Sequence, residues 1–274
     1  MMHIQYGFVI PVYNHPHYLQ DLFEHLDRFN LPIVVVNDGS EHSCSEILKQ
    51  LAQQFAQIHL VEHVANQGKG QAVITGLRKA QSLGLTHALQ MDCDGQHDWH
   101  DITQFLEISA IDPQAMVIGQ PIFDHSVPKG RLYGRYATHI WVWINSLSFD
   151  IKDSMCGFRV YPLTETLKVL DSAKFQLRMG FDSEILVRLK WNDVPFINVP
   201  TKVIYPEHGI SHFQLWRDNW GMTKAHTRLF AGMLIRSPKL LSKKITQLFA
   251  SKSLKNQTMN QTITAKVRHD SENE

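Results

Sequence analysis

Five short apolar runs punctuate the first 120 residues, at Phe8–Val12, Ile33–Val36, Ile58–Val61, His87–Met91 and Met116–Ile118. Their length and their share of β-branched residues predict buried strands. Between them the apolar positions recur at helical spacing: Leu19, Leu22, Phe23 and Leu26; Ile47, Leu48, Leu51 and Phe55; Ala72, Val73, Gly76, Leu77 and Ala80. Strands alternating with helices predict an α/β chain with a mostly parallel sheet covered on both faces. A repeat of about 25 to 30 residues suits right-handed crossovers.

The pattern changes after residue 120. A polar loop is expected from Pro121 to Lys129, followed by an aromatic-rich segment with Tyr133, Tyr136, Trp141, Trp143 and Phe149. Further short strands and helices are expected to about residue 205. From His212 to Phe249 the spacing predicts a helix broken near Pro238, with an apolar stretch at Leu229–Ile235 followed by Arg236, Lys239, Lys243 and Lys244. The last segment, 251–274, is polar and aperiodic and reads as a disordered tail. The expected organisation is therefore a domain over 1–215, an amphipathic helical extension over 216–250 and the tail.

Composition narrows the choice of function. The 274 residues are 43% hydrophobic, enough for a sizeable core, and 27 basic residues against 26 acidic ones give a net charge of +1. That balance argues against a nucleic-acid partner held by net charge. No run reaches the roughly 18 apolar residues of a membrane span, and the opening MMHIQYG lacks the features of a signal peptide. Cys44, Cys93 and Cys156 are widely spaced, which suggests neither a disulfide framework nor a zinc ribbon. A reducing cytoplasm is the expected compartment.

In an open parallel sheet, ligands bind beyond the carboxyl ends of the strands. Four polar clusters follow the apolar runs: PVYN at 11–14, NDGS at 37–40, NQGKG at 66–70 and DCDGQ at 92–96. Asp92 and Asp94, two apart past a strand, can point the same way and share a hard cation, Mg²⁺ or Mn²⁺. The bland alternative is a solvated turn. Asp38 before Gly-Ser is either ordinary turn chemistry or an acceptor for a nucleotide base or ribose. The glycines around Lys69 let backbone N–H groups approach phosphate. The spacings of a Walker A loop and of GxGxxG are both absent. His97 and His100 with Asp92 and Asp94 can be written as a zinc site, against the simpler expectation that both histidines lie on an exposed helix start.

The ordered motifs VIPVYN (9–14), NDGS (37–40), NQGKG (66–70) and DCDGQHD (92–98) resemble those of family 2 glycosyltransferases of the GT-A fold. The segment from Asp153 through GFR (157–159), the GFDSE at 180–184 and Val199-Pro200 resemble the dolichyl-phosphate-mannose-synthase-like branch. The resemblance implies a GT-A α/β fold and an inverting, metal-dependent hexosyltransferase. It implies that Pro11, Tyr13, Asn14, Asp38, Lys69 and Asp92 hold a UDP- or GDP-sugar, and that Asp92, Asp94 and Gln96 hold the metal. Asp153, Glu184 and Asp182 are the candidate catalytic carboxylates. Asp182 and Glu184 cannot share a helix face, so at most one is expected to act while the other caps.

The expected acceptor is lipid-linked: a polyprenyl phosphate, which needs cations such as Arg131, Arg135, Arg159 and His212, or a glycolipid hydroxyl, which needs a base. The sequence departs from that branch in placing His208 and His212 where a basic residue and Ser-Lys are usual, and in lacking C-terminal spans. The Trp141–Trp143 segment and the C-terminal helix are candidates for peripheral contact with the inner face of the cell membrane, with core packing as the alternative. The rival functions are a sugar nucleotidyltransferase and a catalytically inactive nucleotide-sugar-binding protein.

Overall fold

The computed structural model describes residues 4–123, 127, 129–203 and 214–271. Seven strands form one sheet: β1 (Tyr6–Val12), β2 (Ile33–Asn37), β3 (Ile58–Glu62), β4 (His87–Gln90), β5 (Met116–Ile122), β6 (Arg159–Pro162) and β7 (Phe196–Lys202). The helices are α1 (Leu19–Asp27), α2 (His42–Gln54), α3 (Lys69–Ser82), α4 (Ile102–Ile111), α5 (Lys129–Ser146), α6 (Leu163–Asp171), α7 (Phe181–Trp191) and α8 (Leu215–Ser271). The strand order is β3-β2-β1-β4-β6-β5-β7. Only β6 runs against its neighbours, β4 and β5, so the expected mostly parallel sheet is what forms.

Central strands buried on both faces explain why the apolar runs were continuous rather than alternating. On one face Phe8, Ile10 and Val12 join Leu19, Phe23, Leu48, Ile102 and Phe105 in the main core. On the other, Val9 meets α3 at Gly76, where a methyl group would overlap its side chain. Pro11 is tolerated inside a central strand because the register with β4 pairs only Tyr6 to Val9. The ladder on that side has ended before the missing N–H would be needed.

The chain divides into two compact units, 1–230 and 231–274, so the first turns of α8 belong with the sheet domain. The break expected at Pro238 does not occur, since α8 runs through it. A proline there leaves the carbonyl of Leu234 without its helical donor, and the Ser237 hydroxyl donates to that carbonyl instead at 2.8 Å. The backbone of α8 also stays helical to Ser271, where the sequence was read as an irregular tail. No glycine or proline after Pro238 interrupts it. Among the described residues no helix is long and apolar enough to cross a membrane.

The contact between Val9 and Gly76 sets how closely α3 lies on the sheet. Gly76→Ala is expected to cost about 1–3 kcal/mol by overpacking. A fall in the urea midpoint at unchanged slope will check it.

Candidate active site

The loops past β1, β2 and β3 are tied to one another by side chains. Asn14, at φ 52°, accepts from the Glu41 amide at 2.8 Å, and its own amide donates to Ser40 Oγ at 3.1 Å. Asp38, 2% exposed, accepts from the amides of Gln67 (2.9 Å) and Gly68 (2.8 Å) and pairs with His63 Nδ1 at 2.8 Å. These bonds use three of the carboxylate's four acceptor sites, leaving one on Oδ2 for the expected nucleotide contact. The same carboxylate fixes the NQGKG loop. Gly68 takes φ 105° against Leu177 and Arg178, a backbone state that L side chains avoid. Pro11 is buried and Tyr13 half-buried at the same edge.

The clamped loop delivers Lys69, the first residue of α3, to the acids. Its ammonium lies 2.8 Å from Asp92 Oδ2 and 3.1 Å from Asp182 Oδ2. Burial opposes the Lys69 charge, but Asp182 and Asp92 more than offset it, and its pKa is raised. Burial likewise opposes ionisation of Asp92, while Lys69 and then His97 hold its pKa down. Asp94 behaves oppositely, pushed up by burial and by the neighbouring Asp92 charge. Such a pair fits a divalent cation: Asp92 Oδ1 is buried without a hydrogen-bond partner among the described residues, and the second carboxyl is strained by like charge. Gln96 approaches Asp94 through its backbone amide, at 3.1 Å.

Gly157 completes this arrangement. A Cβ on Gly157 would overlap the Asp92 carboxylate itself, so the 153–159 segment lies directly against Asp92. In the sequence Gly157 is legible only as part of a motif, because the need for a bare α-carbon arises where the 153–159 segment meets Asp92.

The remaining candidate residues separate. Asp153 accepts a bidentate pair from Arg135 (Nε 2.6 Å, Nη2 2.8 Å), amides from Met155 and Cys156, and a contact from His139 Nε2 at 3.1 Å. Burial would raise its pKa, yet His139 and Arg135 hold it well below the carboxylate range. Glu184, fully buried, is gripped by Arg188 (2.8 Å) and Arg228 (2.7 Å) and accepts from the Gln176 amide. Of the three expected catalytic carboxylates only Asp182 faces the Lys69–Asp92 cluster, with Arg159 3.2 Å from its other oxygen. The divergence of Asp182 and Glu184 follows from their two-residue spacing on α7.

Arg159 is a correction to the expected acceptor set. It is 0% exposed and spends its donors on the Cys156, Ser154 and Asp182 carbonyls and on Tyr161. No acceptor can touch it. The Arg131 side chain and His212 lie outside the described residues. The histidine pair is corrected too: His97 is buried against Phe158, with Nε2 4.0 Å from Asp92, whereas His100 is exposed and paired with Asp98. The two do not converge on a zinc ion, and no group of three or more His, Cys, Asp or Glu among the described residues is arranged to hold a metal.

Gly157→Ala is expected to displace the Asp92 carboxylate and lower donor turnover about 10²-fold, read by nucleotide release with the circular dichroism spectrum preserved. Asp153→Asn leaves Arg135 facing a neutral group and should cost about 3–5 kcal/mol near neutral pH. Because the folded pKa of Asp153 lies below the unfolded value of about 3.9, its contribution is complete above that value and lost as pH falls below it. The gap in melting temperature between wild type and Asp153→Asn should therefore close on acidification.

The model of "Glycosyl transferase family 2" matches residues 8–167. The chain is 28% identical over 220 residues to the UDP-N-acetylglucosamine–dolichyl-phosphate N-acetylglucosaminyltransferase of Methanococcus voltae, covering 74% of this chain and 87% of that one. It is 27% identical over 201 residues to a dolichyl-phosphate beta-glucosyltransferase of Trichomonas vaginalis, covering 66% and 60%. The glucosyl-3-phosphoglycerate synthase of Mycobacterium tuberculosis, solved with Mn²⁺ and UDP-glucose, superposes with a TM-score of 0.59 at 13% identity over 85% of this chain and 79% of that one. The architecture is the GT-A fold, and with more than half of its length matched, the chain belongs to glycosyl transferase family 2.

Proposed function

We propose that this glycosyltransferase moves a sugar, with inversion, from a uridine diphosphate sugar to a polyprenyl phosphate at a membrane face. The observation that carries the acceptor is the state of the three candidate bases. Asp153 is held by Arg135 and His139 and Glu184 by Arg188 and Arg228, while Asp182 pairs with Lys69 through Oδ2 and lies 3.2 Å from Arg159 with no hydrogen bond to Oδ1 among the described residues, so each is beside a cation that lowers its basicity. A carboxylate of lowered basicity is poorly placed to remove a proton from a hydroxyl. A phosphate acceptor arrives already anionic and needs no base. The relatives whose printed names specify dolichyl phosphate support the same class, and the Methanococcus relative's name supports a uridine donor.

The chemistry is a single displacement. An acceptor phosphate oxygen forms a bond to the anomeric carbon while the bond from that carbon to the diphosphate breaks, and the nucleoside diphosphate departs with the electron pair. Asp92 and Asp94 would hold Mg²⁺ or Mn²⁺, which would neutralise the diphosphate and take its remaining ligands from phosphate and water. Lys69 sits where its charge can pass from the acids to the leaving phosphate. The Asp38 clamp presents the Gly68–Gly70 backbone to the donor. Arg135 on α5, paired with Asp153, would face the acceptor.

The test is a reconstituted assay with UDP- and GDP-sugars, polyprenyl phosphate and Mn²⁺. The expected product is nucleoside diphosphate. Chelation, Asp92→Asn and Asp94→Asn should each lower transfer roughly 10²-fold or more. Release of pyrophosphate, full activity under chelation, or transfer to a lipid hydroxyl alone would overturn the assignment.

A further inference from the structure

The ammonium of Lys69 lies 2.8 Å from Asp92 Oδ2 and 3.1 Å from Asp182 Oδ2, on a side chain only 20% exposed. Asp92 cannot turn aside from it, because the carboxylate abuts Gly157 so closely that a Cβ there would overlap both of its oxygens. The backbone leading to Lys69 is equally fixed, since Asp38 holds the amides of Gln67 and Gly68. The part free to move is the Lys69 side chain, a flexible stem ending in rotatable donors.

Charge decides what this arrangement admits. Asp92, Asp94 and Asp182 face Lys69 and Arg159, and Arg159 is fully buried and bound to the carbonyls of Ser154, Cys156 and Asp182, so it stays in place. His97, beside Asp92, adds no charge at neutral pH, since burial lowers its pKa. Acids and cations therefore come close to cancelling. A dication entering alone meets the Lys69 ammonium across one carboxylate. Among the described residues Asp92 Oδ1 has no hydrogen-bond partner, and it shares its carbon with the oxygen that Lys69 holds. Two cations on one carboxylate repel each other, the more strongly the less water lies between them. A nucleoside diphosphate supplies the missing negative charge and gives the ammonium an anion to turn to, while Asp182 keeps Lys69 paired from the other side.

We propose that Lys69 is a built-in competitor of the metal: paired with Asp92, it opposes a divalent cation that arrives alone and yields when a diphosphate arrives with it. The inference rests on the metal seat proposed above and adds the residue that couples its two occupants. Such coupling is reciprocal, so metal and nucleotide tighten each other's binding by the same factor.

The full chain and its variants are titrated calorimetrically with Mn²⁺ alone and with Mn²⁺ in the presence of UDP or GDP. The complex of Mn²⁺ with nucleotide in solution is common to all of them and drops out of the comparison. Lys69→Met should bind Mn²⁺ alone about tenfold or more tightly than the wild type, and nucleotide should tighten Mn²⁺ less in it than in the wild type. Lys69→Arg keeps the charge and should keep the weak binding of Mn²⁺ alone. A lysine that only braces the acids predicts the opposite sign, because its loss would loosen the site and weaken Mn²⁺. Mn²⁺ bound by Lys69→Met no more tightly than by the wild type overturns the inference. So does a wild type in which neither nucleotide strengthens Mn²⁺ binding, a measurement that needs no variant to fold. Asp92→Asn separates the two readings. If it loses Mn²⁺ while Lys69→Met gains none, the metal seat stands and only the inference falls; if it binds Mn²⁺ as the wild type does, both fall.

Discussion

The ammonium of Lys69 lies between Asp92 and Asp182, and most of the site is organised about that contact. Two buried acids from different elements would repel one another and resist ionisation; a cation between them reverses both effects. It joins the end of β4, the start of α3 and the start of α7 at one point. The constraint reaches back further. Lys69 is held in place because the amides of the two residues before it are bound by Asp38, past the end of β2. Three loops far apart in sequence thus share one chain of hydrogen bonds and charges.

Close packing enforces the same geometry. Gly39, at φ 68°, has no room for a side chain against Ala65 and Asn66, and Gly157 has none against Asp92. These are contacts between loops rather than turn requirements alone. Cys93, between the two acids, is buried and its thiol pKa is raised far above normal by burial and by Asp94. It therefore stays protonated and serves as packing. Around Asp92 and Asp94, Cys93 is buried and Lys69 is committed to Asp92 and Asp182.

The other acids are bound into the fold by ion pairs. Asp153 and Glu184 look like site residues by motif, yet each is the centre of a closed ion-pair network, one fixing α5 to the 153–159 segment and the other fixing α7 to the start of α8. Arg159, fully buried on β6, is the hub that orients Asp182 and the loop before it.

The sequence by itself determined the α/β class, the order of strands and helices over the first 120 residues and the placing of four polar clusters at one sheet edge. Those follow from local periodicity and from the rule that parallel strands end together. Only the tertiary structure decided which cation pairs with each acid, because pairing depends on residues far apart in the chain, such as Glu184 with Arg228 or Asp153 with Arg135. It also decided the passage of α8 through Pro238, where a neighbouring serine replaces the lost donor, and the burial of His97 and Arg159. Polarity is legible in a sequence, whereas the partner that satisfies a buried charge is set by the fold.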